Sequence, residues 1–120
     1  MPFVILEHFR GTLDWPDHFD LMFTQPSGLL RTWSVRRRPD SPGRQEALRM
    51  ADHRAAYLTY QGPTKRGGGW VRRWTGGGYR PLVQQERCWR LIVESPLLTG
   101  VIALEQAGDD GLWWCTFQRR

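Results

Sequence analysis

Cysteine is nearly missing from this chain: Cys88 and Cys115 stand alone among 120 residues, with no Cys-x-x-Cys pair. That excludes a disulfide framework and a thiolate metal cage, and both residues read as reduced core thiols of a cytoplasmic protein. No apolar run approaches the ~18 residues of a membrane-spanning helix, and no charged-apolar-small leader opens the chain, so neither membrane insertion nor export is expected. A sustained 3.6-residue apolar period is absent too, which argues against a helical bundle. Lysine is rarer still. Lys65 is the lone lysine among 17 basic residues, set against 12 acidic ones for a net charge of +5. The positive charge is therefore arginine, whose planar fork grips phosphate bidentately and stacks on bases. A polyanionic partner is expected. The three consecutive arginines Arg36-Arg37-Arg38 begin a proline-held loop that could clamp phosphate.

Short alternating segments are what the chain does contain. Phe3–Glu7, Phe19–Phe23, Leu29–Val35, Trp70–Trp74, Cys88–Val93, Gly100–Glu105 and Leu112–Phe117 read as strands. Gln25-Pro26-Ser27-Gly28 and Gly62-Pro63 read as turns, and Ala107–Gly111 as the tip of a hairpin. Gln45–Ala51 fits a helix or a strand equally. Glycine triplets bound Trp70–Trp74 on both sides, and Gly67-Gly68-Gly69 lacks the lysine-serine ending of a phosphate-binding loop. The expectation is one all-β domain (minor α) over residues 1–120, a small closed antiparallel barrel of about seven or eight strands. Its seven tryptophans serve as core and rim residues. A monomer is expected.

Histidine is scarce, and two of the three histidines lie in one stretch, His8 to Phe23, which ends in His18-x-Asp20. On a strand, His18, Asp20 and Met22 point to one face while Phe19, Leu21 and Phe23 bury the other. An imidazole beside a carboxylate suits Zn²⁺, Mn²⁺ or Fe²⁺, and His8 could swing back across the Gly11–Asp17 loop as a third ligand.

His8, then His18-Phe19-Asp20-Leu21, then Leu30-Arg31-Thr32-Trp33-Ser34-Val35, then Asp52-His53-Arg54-Ala55-Ala56-Tyr57 occur in order. With Gln61-Gly62-Pro63, Gly78-Tyr79 and Leu98-Thr99-Gly100, this series resembles the 3′-phosphoesterase domain of bacterial DNA ligase D over nearly the whole chain. The resemblance implies a β-barrel that binds manganese through His8, His18 and Asp20, with another divalent ion such as Zn²⁺ as the alternative. It implies that His53 and Tyr57 contact the scissile phosphate, and that Arg36 or Arg37 stands where the family tends to place a phosphate-gripping lysine. The implied activity removes a 3′-terminal ribonucleoside and then the 3′-phosphate from DNA or RNA ends, in concert with ligase or end-joining proteins. The chain departs from the pattern at Met22 and Gln45, where the family has arginines, and in a longer loop between the first two histidines. Two other readings compete. A catalytically weak binder of DNA ends or of a repair partner follows from the loss at Met22, and a non-haem iron triad of His18, Asp20 and His53 follows from the spacing.

Overall fold

The computed structural model describes residues 1–10, 16–64 and 68–120. Lys65, Gly67 and most of the Gly11–Asp17 loop, Trp15 among them, lie outside the described residues. The strands are β1 (Pro2–Phe9), β2 (His18–Thr24), β3 (Leu30–Val35), β4 (Gln45–His53), β5 (Gly62–Pro63), β6 (Trp70–Gln85), β7 (Cys88–Glu94), β8 (Thr99–Gln106) and β9 (Leu112–Arg119). One 3₁₀ turn, Ala55–Leu58, follows β4. All neighbours pair antiparallel, in the order β1-β2-β3-β4-β9-β8-β7-β6-β5. A further β1–β6 pairing returns the hydrogen bonds on themselves in a ring, with the two-residue β5 appended to β6. The all-β, antiparallel expectation is borne out, with nine strands.

Period-two alternation separates the inside of this ring from its outside. Phe3 and Ile5 of β1, Leu21 and Phe23 of β2, and Trp33 and Val35 of β3 join Trp89, Leu91, Ile102 and Trp113 in the interior core. Trp33 is fully buried there and meets Trp89 and Trp113 edge-on at 5.3 and 5.4 Å. The opposite faces of β1 and β2 do not go bare. Val4, Leu6, Met22, Leu30 and Val71 form a second cluster on the outer surface, roofed by Tyr57 and Leu58 of the 3₁₀ turn. Burying an aliphatic side chain contributes about 1.5–3 kcal/mol, so this small cluster is enough to hold the turn against the ring.

Several local expectations are corrected. The second glycine triplet, Gly76-Gly77-Gly78, lies within β6 rather than ending it. There β6 passes from its pairing with β1 to its pairing with β7. A Cβ on Gly77 would stand 2.1 Å from the Glu94 carbonyl oxygen, so only glycine allows the close approach. Gly62-Pro63 pairs with Val71 and Trp70 as a short strand, not a turn. Leu29 stays in the exposed turn instead of joining β3, while Gln45–Ala51, open between helix and strand in the sequence, is strand.

Candidate metal centre

The β1–β2 ladder pairs His8 with His18 and Leu6 with Asp20. The two histidines are therefore cross-strand neighbours, their ring centroids 4.6 Å apart, and His8 needs no swing across the loop to reach its partner. Asp20, two residues along β2, projects from the same outer face, just beyond the edge of the outer apolar cluster. The carboxylate of Asp17 accepts the Arg10 backbone N–H at 2.8 Å and pins the neck of the connecting loop.

Backbone carbonyls fix the chemistry of both rings. His8 Nε2 lies 2.7 Å from the Gly68 carbonyl oxygen, and His18 Nδ1 lies 3.1 Å from that of Pro16. A carbonyl only accepts, so each of these nitrogens carries its hydrogen. In the neutral rings the remaining nitrogens, His8 Nδ1 and His18 Nε2, hold bare lone pairs. Each faces one oxygen of Asp20 at 3.2 Å. Acceptors converging on one point require either protons or a cation between them. Metal-bound histidines are oriented in this manner, with the distal N–H given to a carbonyl. The spacing fits as well. Ligands at about 2.0–2.2 Å from an ion sit about 3.0–3.5 Å apart at right or tetrahedral angles. The two histidine–carboxylate spacings of 3.2 Å are of that size, and all three ligand atoms lie within 4.8 Å of one another. A set of two histidines and one carboxylate leaves coordination positions open, as catalytic rather than structural sites do.

Protonation follows the same geometry. Burial works against charge on His18, but the hydrogen bond and charge of Asp20, with the Pro16 carbonyl, carry its pKa above the ordinary imidazole value; Arg10 opposes the rise. Burial would raise Asp20, yet the hydrogen bonds from His18 and His8 hold it below the usual carboxylate range.

The other expected site residues are distributed differently. His53 closes β4 opposite Leu30, which itself pairs with Thr24. That level is four residues along β2 from Asp20, an offset of about 13 Å at 3.3 Å per residue. The His53 ring lies 2.9 Å from the Ala51 carbonyl and edge-on to Tyr57 at 5.5 Å, while Tyr57 itself covers the outer cluster. His53 is not part of the group formed by His8, His18 and Asp20. Arg36 comes nearer. Phe19 pairs with Val35, the last residue of β3, and exposed Arg36 follows directly in the chain. Arg37 is occupied otherwise: its guanidinium donates to the Arg44 carbonyl at 3.1 Å. Gln45 bonds both the N–H and the carbonyl of Arg37, so it clamps the arginine loop rather than facing substrate. Met22 is sealed in the outer cluster.

Two groups escaped sequence reasoning: the Gly68 and Pro16 carbonyls that orient the histidines. Main-chain acceptors leave no residue-type signal, although the position of Pro16, two residues before His18, is a weak one.

These features define a candidate open-sided, three-ligand metal centre on the outer wall of an all-β ring. Neither a protein family nor a curated protein matches this chain.

Proposed function

We propose that the protein is a divalent-metal-dependent phosphoesterase that trims the 3′ ends of DNA or RNA strands. The observation carrying this reading is the convergence of His8 Nδ1, His18 Nε2 and the Asp20 carboxylate, each histidine aligned by a backbone carbonyl. Mn²⁺ or Zn²⁺ fits the nitrogen–oxygen donor set. The bound ion supplies Lewis acidity toward a phosphoryl oxygen and lowers the pKa of a bound water. Around it the chain's own groups orient the substrate. Exposed Arg36, which follows the last residue of β3, would take phosphate charge, and the net charge of +5 favours a polyanion. The resemblance to the ligase D end-processing domain supports the same substrate class, a repair setting with ligase or end-joining partners, and a cytoplasmic location. No helix among the described residues is long and apolar enough to cross a membrane.

His53 and Tyr57 set a second reading against the first. The offset of His53 from the cluster along β2 favours a weakly catalytic binder of nucleic-acid ends. One experiment decides. A primer carrying a single 3′-ribonucleotide is incubated with Mn²⁺ and the wild type, His18→Ala, Asp20→Ala or His53→Ala, and metal content is measured in parallel. The phosphoesterase reading expects about one ion per chain and slow nucleoside release, both lost in the first two variants. Metal content unchanged in His18→Ala and Asp20→Ala overturns the site. Bound metal and strand binding without turnover leave the binding module as the function.

A further inference from the structure

A groove of about 190 Å³ opens on the same outer face, lined by Ser34, Arg36, Glu46, Leu48 and Leu112, with the Ala47 backbone. Its relation to the metal centre is set by the ladders. Asp20 pairs with Ser34, Ser34 with Leu48, and Leu48 with Leu112, so one row of residues runs from the candidate centre straight into the groove. The centre of the groove is about two strand spacings, roughly 10 Å, from Asp20. Arg36, one residue beyond the end of β3, and Glu46 of β4 both line the groove. Leu48 on the floor is 62% exposed, the most exposed large apolar side chain among the described residues. Trp114 follows in the next row, paired with Glu46, its ring covered by the Arg44 guanidinium at 4.0 Å from the centroid.

We propose that this groove receives an unpaired nucleobase adjacent to the phosphate held at the metal centre. The inference rests on the phosphoesterase reading and names the part of the substrate beyond the reacting atoms. Charge and polarity are arranged for such an occupant. The arginine lies on the side where the phosphate enters, the leucines supply a flat apolar floor, and the Glu46 carboxylate accepts from an exocyclic amine. Base edges that carry such an amine (cytosine, adenine, guanine) are favoured over thymine and uracil. Single strands are commonly held by this combination of a backbone-tracking cation and a surface for the base faces.

The test uses the full chain and oligonucleotides with a fluorescent base analogue or an abasic site at either neighbour of the 3′-terminal phosphodiester. The wild type is expected to bind the base-bearing strand about tenfold more tightly than the strand abasic at one of those positions. Leu48→Glu should abolish that preference and Leu48→Met should keep it, while Mn²⁺ stoichiometry remains that of the wild type in both. Glu46→Gln should reduce the discrimination between cytosine and uracil at that position. Equal affinity for base-bearing and abasic strands in the wild type overturns the groove assignment, whether or not the strand is cleaved. So does a Leu48→Glu variant with its preference intact. A preserved base preference without metal-dependent cleavage leaves the groove standing and removes the phosphoesterase reading instead.

Discussion

Met22 lies two residues beyond Asp20 on the same face of β2, where an arginine would be expected to meet phosphate if that face were open. It is closed: Met22 is 1% exposed, packed with Val4, Leu6, Leu30 and Val71 beneath Tyr57 and Leu58. Met22→Arg therefore buries an uncompensated guanidinium and should lower stability by about 3–5 kcal/mol, read from urea unfolding, with no gain in turnover. A variant of wild-type stability and higher activity would mean that the roof over Met22 lifts in solution. Arg31 raises the opposite question, since it is charged and already inside. Its guanidinium lies between Trp33 and Trp89, 5.3 and 5.0 Å from the ring centroids. Burial and then the nearby charge of Arg49 lower its pKa, against the opposing pull of Asp52. Its Nε and the Trp33 Nε1 are buried without an acceptor among the described residues. Cation–π contact contributes about 0.5–2 kcal/mol at such a site, while an orphaned donor costs a comparable amount. Arg31→Met keeps the stem and removes the orphan, so its stability should stay within about 1 kcal/mol of the wild type. A loss of more than twice that would assign the ring contacts the larger share.

β6 carries the clearest lesson among the elements. At Gly77 a Cβ would meet the Glu94 carbonyl oxygen at 2.1 Å, whereas at Gly108, in the β8–β9 turn, the nearest atom is an Asp110 carboxylate oxygen at 3.8 Å. Gly77→Ala should cost at least about 2 kcal/mol and Gly108→Ala less than about 0.5 kcal/mol, compared by thermal unfolding. Similar losses in both would show that β6 yields there. Glycines reading as punctuation thus hid a continuous strand, because one residue type serves both turns and tight strand crossings. The remaining strands were legible wherever apolar side chains alternate, as in Phe19, Leu21 and Phe23. At Gln45–Ala51 the exposed Leu48 blurred the alternation. The candidate ligands were legible from His18-x-Asp20 and the scarcity of histidine. Their pairing with His8 depends on register, and the orienting carbonyls depend on main-chain placement, neither of which residue types encode. Asp40 ties the arginine loop to the fold, 2.7 Å from Arg38 and 3.7 Å from Arg119 of β9. The hydrogen bond from Arg38 is the main reason its pKa falls below the ordinary 3.8, with burial opposing and the charges of Arg38 and Arg119 assisting. A lowered folded-state pKa stabilises above the unfolded value, and that contribution disappears as pH falls through the folded value. Asp40→Asn should lose about 0.5–1 kcal/mol at neutral pH, with the gap to wild type closing well below pH 3.8. A gap independent of pH would place the effect in packing instead of charge.

Across the whole molecule, a net charge of +5 does not mean that every arginine is available to a polyanion. Arg38 is paired with Asp40 and lies over Trp74 at 5.5 Å, Arg72 reaches Glu7 at 3.0 Å, and Arg49 reaches Asp52 at 2.8 Å. Arg37 is held by the Arg44 carbonyl. Arg36 is exposed, has no carboxylate partner among the described residues, and lines the groove. Nucleic-acid affinity should therefore fall steeply with salt, each phosphate contact contributing about 0.7 to the slope of log K against log salt for a single strand. Arg36→Ala should weaken binding and flatten the slope by about that amount. Arg38→Ala should leave the slope nearly unchanged, because Asp40 already neutralises the charge removed. The measurement is fluorescence anisotropy of a labelled single strand across a salt series for the three proteins, each checked to be fully folded at the assay temperature. Equal flattening in both variants would show that only total charge matters, and a wild-type affinity indifferent to salt would remove phosphate recognition from the account altogether.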